Sequence, residues 1–129
     1  MQAAQPRSDR LQAASDVIRL ILRCRLDLSS EKHLQEGLEK AFQDAGVLFE
    51  REKRLSPKDI PDFLVTGGIV VECKMRNKGK KIAIYQQICR YAEYPEVTAI
   101  ILASNGSMGL PPEINGKPVY AASLSAGWI

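Results

Sequence analysis

The sequence predicts an α/β domain in which a mixed central sheet is flanked by helices. Apolar residues recur at helical spacing in three segments, 8–26, 31–45 and 82–94. Short β-branched runs with the length and composition of strands occupy 60–65, 69–75 and 97–103. Along the chain the predicted order is helix, helix, strand, hairpin, helix, strand, short strand. That order is typical of a mixed sheet with helices packed on its faces.

Length and composition set the broad class. A chain of 129 residues suits one domain, 1–129, and is long enough to bury a core. The net charge of +3 permits a polyanionic partner without requiring one. Three cysteines with no C-x-x-C pair favour a reducing compartment over a disulfide framework. No apolar run approaches the roughly 20 residues that cross a bilayer, so we expect a cytoplasmic protein without membrane contact.

The N-terminal third is predicted to be helical. Residues 1–7 form a loose tail, and 8–26 form an extra N-terminal helix that packs on the core or on a second copy. Ser30 is the predicted N-cap of the second helix, with Glu31 in its first turn. Gly46 is expected to end that helix, because glycine adopts the left-handed conformation found after helix ends.

The middle of the chain predicts a strand, a turn and a hairpin. Residues 47–55 form a strand rich in charges, and 56–59 form a turn. The next two apolar runs are separated only by Thr66, Gly67 and Gly68, which is typical of a hairpin loop.

The C-terminal part continues the alternation. A helix over 82–94 is stopped by Pro95, and the β-branched run 97–103 is expected to be a buried strand. Residues 117–121 are predicted to form a last strand at the edge of the sheet.

The hairpin carries the residues of chemical interest. If its loop has three residues, Val65 pairs with Ile69, and Asp62 then lies opposite Glu72. Directly opposed residues have Cβ atoms about 4.5–5.5 Å apart, so the two carboxylates repel each other unless a divalent cation lies between them. A two-residue loop would instead pair Asp62 with Cys73 and place the acids on opposite faces.

The second hairpin strand adds a lysine to this pair. Val70, Glu72 and Lys74 share one face, and the alternate positions form the apolar face. Carboxylate oxygens suit Mg²⁺ or Mn²⁺, which activates water, and Lys74 can orient or deprotonate that water or stabilise the transition state. The backbone carbonyl of Cys73 is a further candidate ligand. The alternative is a surface hairpin in which Glu72 forms an ordinary salt bridge.

This pattern resembles the PD-(D/E)xK, or restriction-endonuclease-like, nuclease superfamily. Pro61-Asp62, a Gly-Gly spacer, a β-branched run and Glu72-Cys73-Lys74 carry the resemblance, which covers about residues 29–103. It implies a catalytic core of helix, three strands, helix and strand. It also implies a Mg²⁺-dependent DNA nuclease of the endonuclease or resolvase-like kind. By analogy, the small size of the chain suggests a phage-like protein that acts as a homodimer or higher oligomer. An exonuclease, or a non-catalytic nucleic-acid-binding module with the same fold, remains the alternative.

The resemblance and the helical phase add three site candidates. Gln87 and Tyr91 have the Q-x-x-x-Y spacing of several exonuclease-like branches, and residues four apart share one helical face. Gln87 would then bond the water or phosphate and Tyr91 would support it, or else Tyr91 is core and Gln87 is solvated. Among the polar candidates of the second helix, Glu31 lies nearest the apolar face. It is expected either to be a third acid of the site or to be only a first-turn residue that interacts with the helix dipole. His33 lies off that face, which argues against a zinc site.

A basic run follows the hairpin. We expect it to contact the phosphate backbone of DNA, the alternative being a solvated loop. Its residues are Arg76, Lys78, Lys80 and Lys81, and the candidates to extend it are Arg51, Lys53 and Arg54.

Overall fold

A mixed β-sheet with helices on both faces forms the centre of the molecule. The structure, a computed structural model, describes residues 7–75, 80–106 and 108–124. The helices found there are α1 (Arg7–Arg23), α2 (Glu31–Asp44) and α3 (Lys81–Tyr91). The strands are β1 (Phe49–Arg51), β2 (Phe63–Val65), β3 (Ile69–Lys74), β4 (Ala99–Ser104), β5 (Glu113–Ile114) and β6 (Lys117–Ser123). The predicted α/β class and order of elements are confirmed, with the short β5 as an addition.

The strand order is β1-β2-β3-β4-β6-β5. Strands β1, β2 and β3 form an antiparallel meander, β3 runs parallel to β4, and β4 runs parallel to β6. Helix α3 makes the long connection that two parallel neighbours need. The carboxyl ends of β3 and β4 therefore lie at one edge of the sheet, where Lys74 is in register with Ser104.

Two apolar clusters fill the space between the sheet and the helices. On one face α1 and α2 cover alternate residues of β3, among them Val71 and Cys73. On the other face Val70 packs with Ile88 and Tyr91 of α3. The expectation that only one face of β3 is apolar is therefore wrong, because a central strand of a doubly covered sheet is buried on both sides.

The helix boundaries differ from the predicted ones at two C-termini. Ser30 caps α2 as predicted, and Gly46, with a φ of 73°, follows its end. Helices α1 and α3 end at Arg23 and Tyr91, each three residues earlier than expected. Side chains such as Leu26 pack on the core from non-helical backbone, so apolar spacing alone extended the predicted helices too far. Among the described residues no helix has the length and apolarity to span a membrane.

Two strand predictions need correction. The strand expected over 47–55 is only Phe49–Arg51, because Glu52 has a left-handed φ of 50° and ends the extended backbone, although its N–H still donates to the carbonyl of its register partner Asp62 at 3.0 Å. The strand expected over 117–121 is β6, which lies between β4 and β5 and is therefore not an edge strand.

Candidate metal and active site

The hairpin loop sets which side chains meet. Val65 pairs with Ile69 and Phe63 with Val71, so the loop has three residues. Both loop glycines have positive φ, 95° and 86°, a conformation that glycine adopts without steric cost. The next residues out in this register are Asp62 and Glu72, which is the odd-loop arrangement that the sequence required.

Asp62 leaves the regular ladder and contacts Glu72 through its backbone. The Asp62 N–H donates to Glu72 Oε1 at 3.0 Å, and the Cys73 N–H donates to Asp62 Oδ2 at 2.7 Å. Strand β2 begins only at Phe63, so Asp62 is not a ladder partner of Glu72 as expected. Pro61 has no N–H with which to extend the ladder, and the Asp62 carboxylate accepts the Cys73 N–H instead.

Glu72 is a buried carboxylate. Only 3% of it is exposed, so the surface position in the alternative is wrong, whereas the salt bridge of that alternative is present between Glu72 and Lys74. Besides the Asp62 N–H, its Oε1 accepts the Tyr91 hydroxyl at 3.4 Å, and its Oε2 lies 3.4 Å from the Lys74 ammonium. Lys74 therefore lies beside the acid pair, at the carboxyl end of β3.

Both acids are held in surroundings that disfavour their charge. Burial raises the pKa of Asp62 to about 6, against the opposing effect of the Cys73 N–H. Burial and the charge of Asp62 raise the pKa of Glu72 to about 7, and Lys74 only partly offsets this. The chain thus supplies less positive charge than the two carboxylates need, which favours either a shared proton or a bound cation.

The α3 residues occupy two different environments. Tyr91 is fully buried beside Ile88, as its interpretation as a core residue has it, and its hydroxyl reaches Glu72. Burial raises the pKa of Tyr91 above its ordinary value, so the hydroxyl stays a proton donor. Gln87 lies one turn earlier and is half-buried. Within the described residues no hydrogen bond joins its amide to Glu72 or Lys74.

Glu31 is the first residue of α2 and is half-buried. Its charge contributes to the raised pKa of Asp62, so it lies within electrostatic reach of the pair. No three or more His, Cys, Asp or Glu side chains converge on one point in the described ranges to hold a metal ion. Glu31 therefore does not complete a site of three carboxylates here.

The predicted basic run is only partly described. Arg76 and Lys78 lie outside the described residues. Lys80 and Lys81 are exposed at the start of α3, and Arg54 is exposed after β1.

Arg51 does not extend the basic surface, and that expectation is wrong. Its Nε donates to the Asp62 carbonyl at 3.2 Å and its Nη2 to Gln35 at 3.0 Å, while Nη1 lies 3.4 Å from Glu39. The guanidinium also lies 4.7 Å from the centre of the Phe63 ring. Arg51 thus fixes the backbone of Asp62 from β1. Because side chains alternate along a strand, Arg51 lies on the same face as Phe49, two residues earlier, and Phe49 packs on the core. This spacing was the sequence signal that Arg51 points inward.

The oxygen atoms at the pair fit a hard divalent cation. Asp62 Oδ1 accepts no hydrogen bond from the described residues, and the Asp62 N–H bonds the Glu72 carboxylate. The Cys73 N–H faces Asp62, and the C=O of a strand residue points to the same side as its N–H. Two carboxylates and one carbonyl suit Mg²⁺, which keeps several waters. The Cys73 thiol is buried in the opposite cluster, which raises its pKa and excludes it as a ligand.

Asp59 is a second buried carboxylate, which the sequence placed only in a turn. It is 5% exposed and accepts hydrogen bonds from Arg90 Nε at 2.9 Å and from the Tyr94 hydroxyl at 2.7 Å. Both partners lie more than thirty residues away along the chain, so no local pattern indicates the contact.

Comparisons with known proteins add no relative to this description. No protein-family model matches the chain, and neither a curated protein nor a solved structure is similar to it.

Proposed function

We propose that this chain is a divalent-metal-dependent nuclease that hydrolyses phosphodiester bonds of DNA, with Mg²⁺ or Mn²⁺ as cofactor. The observation that carries the proposal is the pair formed by half-buried Asp62 and buried Glu72, with Lys74 3.4 Å from Glu72. Two adjacent carboxylates with little solvent around them oppose folding unless a proton or a cation compensates their charge. A site for a divalent metal supplies that compensation and uses the position of Lys74 as well.

The order of elements around the pair supports a restriction-endonuclease-like core. From α2 to β4 the chain runs helix, three antiparallel strands, helix and parallel strand. This is the order that the resemblance to PD-(D/E)xK nucleases implies. The pair also lies near the carboxyl end of β3, and ligands of open α/β sheets bind at the carboxyl ends of strands.

Each residue of the site has a distinct task in this proposal. Asp62, Glu72 and the Cys73 carbonyl would hold the metal ion, which when bound acidifies a water and neutralises charge on the phosphate. Lys74, whose ammonium lies 3.4 Å from Glu72, orients the attacking water or stabilises the charge of the transition state. Tyr91 donates to Glu72 and fixes the direction of that carboxylate. Gln87 lies on the adjoining part of α3, from which it would assist at the phosphate or water.

Positive charge close in sequence to the site residues supports a polyanionic substrate. Lys80 and Lys81 are exposed at the start of α3, next along the chain from the hairpin that carries the pair. Contacts from such lysines to phosphates position DNA without reading its sequence. An endonuclease or resolvase-like activity, in a homodimer or higher oligomer, is the specific form that we propose.

The test is a panel of labelled DNAs: double-stranded, single-stranded, nicked and four-way branched, each with Mg²⁺, Mn²⁺ or EDTA. We expect metal-dependent cleavage of at least one substrate, loss of cleavage in Asp62→Asn, and normal cleavage in the control Asp44→Asn. Asp44 is an exposed acid paired with Lys40 at 3.0 Å, so its variant makes the same charge change away from the site. Wild-type protein that binds DNA but cuts none of it would favour the non-catalytic module.

A further inference from the structure

We propose that Asp59 is a positioning residue for the Asp62–Glu72 pair, holding the segment that carries Asp62 against the end of α3 that carries Tyr91. Its role in catalysis rests on the function proposed above. Its role in the geometry of the pair does not, and the two are tested separately below.

Asp59 joins two segments that are distant in sequence. Its carboxylate accepts hydrogen bonds from Arg90 Nε at 2.9 Å and from the Tyr94 hydroxyl at 2.7 Å. Its backbone carbonyl accepts the Leu55 N–H at 2.9 Å, which closes the loop before it. Burial alone would raise its pKa, but the bonds from Tyr94 and Arg90 outweigh burial and hold the pKa below the ordinary value. Asp59 is thus a charged, fixed group.

One end of this contact leads directly to Asp62. Only Ile60 and Pro61 separate Asp59 from Asp62. Pro61 is buried and its ring fixes φ, so the link is short and stiff. A displacement of Asp59 must therefore move the Asp62 backbone, whose N–H bonds Glu72.

The other end leads to Tyr91. Arg90 and Tyr94 are four residues apart and bracket Tyr91, whose hydroxyl lies 3.4 Å from Glu72. The Tyr94 N–H bonds the Tyr91 carbonyl at 3.2 Å, so Tyr94 is tied to the last turn of α3. By bonding both Arg90 and Tyr94, Asp59 fixes the rotation and height of that turn over the sheet. The two segments that contact Glu72 from outside β3 are thus held by one carboxylate.

The first test measures the geometry without any activity. Backbone amide hydrogen exchange is followed by NMR in metal-free Asp59→Ala, and in Tyr94→Phe in case the alanine variant does not fold. We expect exchange at the Asp62 and Cys73 amides to accelerate about tenfold relative to the Val71 amide in the adjoining ladder. The control Val119→Ala opens a cavity in the same apolar cluster and should not change that ratio. An unchanged ratio in the Asp59 and Tyr94 variants would overturn the proposal.

The second test measures catalysis by the folded protein at saturating Mg²⁺ over a range of DNA concentrations. We expect Asp59→Asn to lower kcat about tenfold or more, because small misplacements of reacting groups are costly, with KM for DNA nearly unchanged. The loss should be about threefold smaller in a Tyr91→Phe background, since coupled residues are not additive. An unchanged kcat would overturn the catalytic role. Wild-type protein without any cleavage would overturn the proposed function, and hydrogen exchange alone would then decide the role of Asp59.

Discussion

Asp59 and Glu72 are buried to the same degree but in opposite electrostatic surroundings. Asp59 is 5% exposed and Glu72 is 3% exposed. Asp59 receives a guanidinium at 2.9 Å and a hydroxyl at 2.7 Å, and its pKa lies below the ordinary value. Glu72 lies beside a second acid, Asp62, with the ammonium of Lys74 at 3.4 Å, and its pKa is raised to about 7.

The contrast separates a structural carboxylate from one held ready for a ligand. A buried charge opposes folding unless partners compensate it. For Asp59 the chain supplies that compensation itself, and the result is a tie between the loop and α3. For Glu72 and Asp62 the compensation is incomplete, which leaves room for a cation from outside the chain. The predictions below test this difference.

Replacing Lys74, whose ammonium lies beside Glu72, should have the largest effect of these changes, and that effect should be on catalysis. Lys74→Ala keeps both acids, so metal binding should persist while the cleavage rate falls about 10²–10³-fold, the usual loss when one donor that stabilises the transition state is removed. Lys40→Ala, which removes a lysine from an exposed pair, is the control. The cleavage rate is measured with Mg²⁺, and metal binding is measured by titrating Mn²⁺ into the same samples. Cleavage by Lys74→Ala at the wild-type rate would remove Lys74 from the mechanism.

Replacing Arg90, whose guanidinium lies beside Asp59, should instead reduce stability. Arg90→Met should lower the free energy of unfolding by about 1–2 kcal/mol, less than for a fully buried charged hydrogen bond because 49% of the Arg90 side chain is exposed. Lys74→Met should have a smaller effect at neutral pH, because Glu72 with its raised pKa takes up a proton when its cation is lost. Urea unfolding of both variants in EDTA compares them. A larger loss in Lys74→Met would reverse the assignment of the two carboxylates.

The pH dependence of stability should differ in sign between the two sites. The folded pKa values of Asp62 and Glu72 lie above the ordinary ones. At any pH between the ordinary and the folded value, the folded state therefore binds more protons than the unfolded state. Their contribution to stability is therefore present at low pH and is lost as pH rises through about 6 and about 7. Asp59, with its lowered pKa, contributes stability that is lost only as pH falls through that pKa.

Urea unfolding in EDTA across this range measures the effect. We expect metal-free protein to lose stability as pH rises from about 4 to about 7, and Mg²⁺ to reduce that loss. The double variant Asp62→Asn, Glu72→Gln should show a flatter profile. The same steep profile in the double variant would show that other groups cause the dependence.

The lysines at the start of α3 should have the smallest effect. If Lys80 and Lys81 contact phosphates, replacing both with alanine should reduce the log–log slope of DNA affinity against salt by about two. The control is Lys58→Ala together with Lys40→Ala, two exposed lysines outside this segment. DNA binding at several salt concentrations measures the slope, and an unchanged slope would show that both lysines belong to a solvated surface.

Much of the fold followed from local patterns. Helical spacing, the Ser30 cap and the two hairpin glycines predicted the elements and their order, because each signal lies within a few residues. The three-residue loop also brought Asp62 and Glu72 to the same end of one hairpin. Lys74 followed from alternation along β3.

The sequence could not predict features that depend on distant partners. The tie from Asp59 to Arg90 and Tyr94 joins residues more than thirty positions apart, and a carboxylate in a polar turn gives no sign of it. The early end of β1 comes from the left-handed φ of Glu52, which is not a glycine and carries no local signal. The burial of Glu72 depends on α3, so alternation gave its face without showing that the face is covered.

The most direct test of the account is Mn²⁺ binding by titration calorimetry near neutral pH, on wild-type protein, Glu72→Gln and the control Asp44→Asn. If the Asp62–Glu72 pair is a metal site, we expect one Mn²⁺ per wild-type chain and unchanged binding in Asp44→Asn. Binding should weaken about tenfold or more in Glu72→Gln, because the neutral amide keeps the shape of the side chain but loses its charge. Equal Mn²⁺ affinity in Glu72→Gln and the wild type would contradict the claim that the Asp62–Glu72 pair is a metal site.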